Sequence, residues 1–387
     1  MHGVKARQGT WDYPPGMEQT VSSLMGDVLA AVENFRPGTV TAAQVAAALA
    51  APEKSIGDFA ALLSPAAEPF LEAMAHQAKA ETARMFGNSV RLFTPLYLAN
   101  YCINYCTYCG FGAQVAVKRG RLTVAEMERE MAAIAATGLD EILLLTGECR
   151  KQSGVAYIGQ AVAIACRFFG TVGVEIYPLN TDEYALLRSQ GADFVNLYQE
   201  TYQPALYGHV HVAGPKRCYP YRFHAHERAL EAGLRGVSLG VLLGLGPFCE
   251  DAFAAGVHGF LLQKKFPMGE ISFSVPRLRA FGDADNALVK NAVSERQLLQ
   301  VMLALRLFMP HVGLAISTRE RAGFRDNVVG LCATKMSAGV MVGVGGHESA
   351  PKGGEQFDVA DARSVAEIHR MLGEKGLQPV YTDYIRV

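Results

Sequence analysis

The sequence has little charge for its length and almost no imbalance between the signs. Charged residues make up 19% of 387, and 36 Lys and Arg stand against 37 Asp and Glu. Without an excess of positive charge, counterion-driven binding to nucleic acid has no footprint, and no nucleic-acid partner is expected. Half of the residues are hydrophobic, which excludes the disordered class. Long apolar runs are missing too. The longest, Gly236 to Phe248, is glycine-rich and short of the roughly 20 residues that a membrane helix needs, so no membrane span is expected. The N-terminus lacks a basic segment followed by an apolar one, so a secretory signal is not expected and a cytoplasmic location is. Eight cysteines in a chain of this length do not make a disulfide scaffold. There is no internal repeat and no long low-complexity tract.

What is present divides the chain into three parts. Residues 1–88 read as an alanine-rich helical extension, with helical spacing in Val40–Ala50 and Glu68–Phe86. From about residue 89 to 345, eight short apolar runs of strand length alternate with amphipathic segments. The runs are Val90–Tyr97, Glu141–Leu145, Val172–Ile176, Phe194–Tyr198, Val237–Leu243, Glu270–Val275, Gly313–Ser317 and Lys335–Val342. Capping boxes at Thr123–Glu126, Asn180–Glu183 and Ser294–Gln297 start helices between them, and Gly138 and Gly191 stop two. This alternation predicts an α/β chain folded as a (β/α)8 barrel of the TIM type, with a doubly wound open sheet as the rival. Residues 346–387 read as a short C-terminal extension with a helix capped at Ser364.

The sharpest local feature is Cys102-Ile-Asn-Tyr-Cys106-Thr-Tyr-Cys109, directly after the first predicted strand. On a barrel that is the carboxyl face, where active sites are built. Three close thiolates suit a metal or an iron–sulfur cluster. A [4Fe–4S] cluster normally takes four, so three would leave one iron open to a ligand. Structural zinc needs a fourth ligand, usually from a second pair, and no such pair follows at a suitable spacing. The second strand ends in Thr146-Gly147-Glu148, whose flat backbone and carboxylate suit an ammonium.

The spacing C-x3-C-x2-C, with Tyr108 before the last cysteine, resembles the radical S-adenosylmethionine (AdoMet) superfamily. Thr94–Cys102, Tyr198–Tyr202, Ser274–Arg279 and Ile316–Glu320 further resemble its aromatic amino-acid lyases, over roughly residues 60–380. That group includes the tyrosine lyase of thiamine thiazole biosynthesis, the hydrogenase-maturation tyrosine lyase and a tryptophan lyase. The wording Cys106-Thr-Tyr-Cys-Gly-Phe111 is similar to the thiamine-type member. Ser337–Asp361 looks closer to the hydrogenase-maturation enzyme, whose further C-terminal cysteines have no counterpart after Cys332.

The resemblance implies a barrel, a [4Fe–4S] cluster and AdoMet. It implies cleavage of the Cα–Cβ bond of L-tyrosine to 2-iminoacetate and p-cresol, with tryptophan or another amino acid as the alternative. It also implies an electron donor such as flavodoxin or ferredoxin, and delivery of the imine to thiazole synthase. Cys102, Cys106 and Cys109 would ligate the cluster. Tyr108, Thr146, Gly147, Glu148, Gln199, Glu200 and Arg222 would hold AdoMet, and Arg319, with Ser317, Ser337 and Tyr97, the amino acid. Of Arg277 and Arg279, one is expected to face the pocket and the other to form a salt bridge.

Two other classes compete. His209-Val-His211 and His224-Ala-His226 have the H-x-H form of a metal-dependent hydrolase, but both fall between strands four and five, where polar loop or helix-face histidines are the plainer expectation. A non-catalytic binding protein would need neither the cysteine loop nor an arginine ending strand seven. Gly343-Val-Gly345-Gly346 lacks the third glycine of a dinucleotide fingerprint and is expected to close the barrel after strand eight.

Overall fold

A computed structural model describes residues 13–279 and 291–381. Eight parallel strands close into a barrel in chain order: β1 (Ser89–Ala99), β2 (Glu141–Thr146), β3 (Thr171–Glu175), β4 (Phe194–Glu200), β5 (Gly236–Val241), β6 (Glu270–Ser274), β7 (Gly313–Ile316) and β8 (Lys335–Ser337). The ring shuts where Lys335, Met336 and Ser337 pair with Arg91, Leu92 and Phe93. That closure excludes the open sheet. The helices between strands begin as their caps predict. At Thr123, Ser294 and Ser364 the side-chain oxygen and the third helical residue exchange hydrogen bonds. Asn180 N–H donates to Glu183. Gly138 and Gly191 take the left-handed conformation that stops a helix, with φ of 89° and 104°.

Strand eight is shorter than its apolar run suggests. It ends at Ser337, because Gly339 (φ 59°) turns the chain away. The chain then comes back along the rim: Val344 bridges Tyr97 of β1, and Gly345 N–H donates to the Tyr97 carbonyl. The run is apolar because it covers the mouth of the barrel. Among the described residues, no helix is long and apolar enough to cross a membrane.

Four helices precede the barrel: Leu24–Asn34, Ala42–Ala50, Ile56–Leu63 and Leu71–Phe86. Leu24–Asn34, Ile56–Leu63 and Leu71–Phe86 pack on the barrel helices Phe248–Lys265 and Glu295–Phe308, and Ala42–Ala50 packs on Ile56–Leu63. Phe59 stacks on Phe308 with ring centroids 4.4 Å apart, and Phe35 stacks on Phe253 at the same separation. Gln300 donates its amide to the carbonyls of Leu62 and Ser64, satisfying a helix end that would otherwise be buried unpaired. A cavity at the lower end of the barrel is lined by Phe93, Leu143 and Phe194 among others, and Lys335 lies between the two phenylalanine rings with its ammonium on Glu141. The upper barrel is left as a cavity.

The contact between the N-terminal helices and the barrel depends on Gly256. A Cβ there would stand 2.3 Å from the Phe59 ring. Gly256→Ala is therefore expected to destabilise the protein by about 1–3 kcal/mol through overpacking. Differential scanning calorimetry checks this as a lowered denaturation temperature. An unchanged temperature would mean that the ring yields freely.

Candidate active site at the carboxyl rim of the barrel

The loop after β1 carries the three cysteines and is built around a half-buried guanidinium. Arg119 donates to the carbonyls of Asn100 (2.7 Å), Phe111 (2.8 Å), Gly112 (2.8 Å) and Val115 (3.2 Å). Asn100 closes the base of the loop by accepting from Gly120 N–H and donating to the Lys118 carbonyl. Tyr105–Cys106 pairs antiparallel with His211–Ala213, in the connection after β4. Tyr108 donates its hydroxyl to His211 Nε2 (2.7 Å), while His211 Nδ1–H donates to the Tyr207 carbonyl (2.8 Å). Burial, with Lys216 and Arg222 near, pushes the His211 pKa down to about 2, so the ring is neutral and fits that tautomer.

The end of β2 lies against this loop. A Cβ on Gly147 would stand 2.4 Å from the Tyr101 carbonyl oxygen, so only glycine permits the approach. Ile103 N–H donates to the Glu148 carbonyl. The buried Glu148 carboxylate accepts from Asn104 Nδ2 at 2.6 Å, and burial raises its pKa. A cation beside it would reverse that penalty. Asn104 Oδ1 in turn accepts from Lys216 N–H.

Across the cavity, β4 ends in strain. A bulge separates Tyr198 from Glu200, and Glu200 has φ +73°, a left-handed conformation that is costly outside glycine. The twist aims its carboxylate at Lys216 Nζ (2.8 Å) and Arg222 Nη2 (3.5 Å). Arg222 Nε also donates to the Tyr198 carbonyl. Arg222 is buried and lines the cavity, so it is not an exposed surface arginine.

One cavity collects most of the residues expected from the sequence. Its walls include Cys102, Cys106, Cys109, Tyr108, Thr146, Gly147, Glu148, Glu200 and Arg222 on one side, and Tyr97, Ser317, Arg319 and Ser337 on the other. Gln199 is not among them. The strand alternation turns it outward, toward Tyr219 behind the barrel. Arg279 lines the mouth, whereas Arg277 is buried on Glu320 and the Val293 carbonyl. The histidine pairs do not act together. His209 is exposed and His211 serves Tyr108, while His224 pairs with Glu227 and His226 faces the Ser238 carbonyl. His211, His224 and His226 are thus buried structural groups rather than loop or surface histidines.

Residues that the sequence did not single out complete the site. They are Asn104, Lys216, Glu175 and Asn196, with Gln356 and Phe357 from the C-terminal segment. Tyr97 donates its hydroxyl to Gln356 (2.7 Å), and the Arg319 guanidinium lies 3.6 Å above the Phe357 ring. Asp361, held by Arg325 and Arg363, anchors this segment over β7 and β8.

The donor set fits a cluster and AdoMet. Burial pushes the Cys106 thiol up to about 12 and raises Cys102, a penalty on the thiolates that a bound metal centre would offset. Thr146 Oγ1 and Ser337 Oγ are buried on the cavity wall without a hydrogen-bond partner among the described residues, which leaves their capacity for a guest.

Arg119 is the centre of the cysteine loop, so Arg119→Ala is expected to unpair four buried carbonyls. Reconstituted variant should hold iron well below the wild-type ratio while its far-ultraviolet circular dichroism stays that of a barrel. A full iron content would show that the loop does not need the guanidinium.

Known proteins share this arrangement. The Radical SAM superfamily model matches residues 96–252, and the Biotin and Thiamin Synthesis associated domain matches residues 274–378. The chain is 38% identical to the 2-iminoacetate synthases of Salmonella typhimurium and Escherichia coli over 346 residues, 89% of this chain and 91% of theirs. Among solved structures it is similar to HydG, a maturase of the [FeFe]-hydrogenase, at 30% identity and TM-score 0.86 over 93% of this chain and 81% of that one. HydG from Carboxydothermus hydrogenoformans gives 29% identity and TM-score 0.84, over 95% of this chain and 86% of that one. The chain belongs to the radical AdoMet superfamily, in the family of the 2-iminoacetate synthases, and is a radical AdoMet carbon–carbon lyase that uses a [4Fe–4S] cluster and AdoMet.

Proposed function

We propose that the enzyme cleaves the Cα–Cβ bond of L-tyrosine, forming 2-iminoacetate and p-cresol for the thiazole of thiamine, while AdoMet yields methionine and 5′-deoxyadenosine. The observation that carries this reading is the sharing of one cavity by the cysteine loop, the Gly147–Glu148 edge and the rim arginine Arg319, in a chain of this family. When bound, the cluster and AdoMet supply one-electron cleavage and hydrogen-atom abstraction.

The chain supplies position. Cys102, Cys106 and Cys109 would ligate the cluster, and three thiolates would leave one iron open to AdoMet. Glu148 and the backbone at Thr146 and Gly147 receive an ammonium, and Arg222 a carboxylate. Glu200 keeps Arg222 and Lys216 in place and faces the ribose; Gln199, turned outward, is left out of this role. Arg319 clamps the amino-acid carboxylate, with Ser317, Ser337 and Tyr97 beside it, which presents the substrate amine toward the cluster side. Covering the mouth with Gln356 and Phe357 keeps water from reactive species. Flavodoxin or ferredoxin would deliver the electron, and thiazole synthase would take the labile imine.

Anaerobic reconstitution with iron and sulfide, followed by AdoMet, reductant and L-tyrosine, should give p-cresol together with glyoxylate from hydrolysis of the imine. Formation of 5′-deoxyadenosine without p-cresol would move the substrate to tryptophan or another amino acid. Arg319→Ala is expected to uncouple the two halves. AdoMet cleavage continues while p-cresol falls on the order of 100-fold, since misplacing a reactant by an ångström has that scale of cost. A wild-type yield of p-cresol would remove the clamp role.

A further inference from the structure

The floor of the cavity carries a polar pair that the roles above leave unused. Glu175 is the last residue of β3 and Asn196 its register partner on β4, and both point into the cavity. Asn196 Nδ2 donates to Glu175 Oε2 across 3.4 Å, a long bond, and among the described residues the carboxylate takes no other. A carboxylate enclosed in a barrel with one weak partner is poorly satisfied. Burial pushes its pKa up to about 7, against the pull of Asn196 and Arg319.

The position is informative. Arg319 lies three residues beyond the end of β7, on the rim, whereas Glu175 is still within β3, inside the barrel. Strands β3 and β7 are four apart in a ring of eight and so face each other across the bore. Between them lies a small apolar group of Phe93, Tyr97, Leu143 and Leu145, separate from the main core. A guest held by its carboxylate at Arg319 therefore meets apolar wall along its middle and a carboxyl–amide pair at its far end.

We infer that Glu175 and Asn196 bind the phenol hydroxyl of the amino-acid substrate and so select tyrosine over phenylalanine. This rests on the tyrosine-lyase reading above. A phenol donates to the Glu175 carboxylate and accepts from the Asn196 amide, completing both groups. Phenylalanine would leave the pair with only its own long hydrogen bond, and sites built to bond a hydroxyl reject the analogue that lacks it by on the order of 10⁴-fold.

The test uses reconstituted full-length enzyme. KM for tyrosine and the inhibition constant of phenylalanine are measured through p-cresol formation, for wild type, Glu175→Leu and Glu175→Gln. Iron content and AdoMet affinity report on folding. The expected result for Glu175→Leu is a rise of at least about 100-fold in KM for tyrosine. Phenylalanine should bind as well or better, the cluster should be intact, and Glu175→Gln should restore part of the preference. If Glu175→Leu keeps the wild-type preference with an intact cluster, the inference is overturned. Absence of p-cresol from wild type would overturn the tyrosine reading, and the inference with it.

Discussion

Closing eight parallel strands into a ring is the constraint on which the rest depends. The pairing of Lys335–Ser337 with Arg91–Phe93 leaves no free edge between β8 and β1, and it brings every strand's carboxyl end to one rim. The cysteine loop after β1, the Gly147–Glu148 edge after β2, the strained Glu200 ending β4 and Arg319 after β7 are far apart in sequence. They become neighbours only because the ring is shut. The N-terminal helices and the stacks of Phe35 and Phe59 lie on the outside of the same barrel, away from this rim.

Within the rim, charge placed in low dielectric does the organising. Glu200 lies between Lys216 and Arg222 in a nearly buried group, so its removal leaves two cations without their anion, a change that typically costs about 3–5 kcal/mol. The left-handed backbone at Glu200 is held by this pairing and by the Leu242 N–H that donates to its carbonyl. Among the described residues Glu148 has the Asn104 amide as its hydrogen-bond partner and makes no ion pair, with Arg222, Lys216 and Arg150 acting on it from farther away. A carboxylate without an ion-pair partner, beside orphaned hydroxyls, is the expected form of a site that awaits a charged guest.

Much of this was legible in the sequence because it is local. Strand periodicity, capping boxes and the cysteine spacing are signals within a dozen residues. Non-local relations were harder to read. The face on which Gln199 lies follows from two-residue alternation with Glu200, so parity alone would have placed it outside. The burial of Arg222 was not legible, since a helix in a loop connection gives no burial signal. The apolar run after Lys335 looked like strand because covering a cavity and crossing a sheet demand the same composition. Arg119 and Asn104 are polar loop residues whose partners are backbone carbonyls, N–H groups and one distant carboxylate, and no side-chain pattern announces them. Glu175 did leave a signal: a carboxylate as the last residue of an apolar strand, inside the barrel just below its carboxyl rim.

The central claim is that the cysteine triplet leaves an iron open to AdoMet in the same cavity that holds the amino acid. Electron paramagnetic resonance of the anaerobically reduced, reconstituted protein tests it most directly, with AdoMet labelled by 15N at its amine and 17O at its carboxylate. The account predicts hyperfine coupling of both labels to the reduced cluster, and a further change in the spectrum when L-tyrosine is added. A cluster spectrum indifferent to the labels and to tyrosine would contradict it.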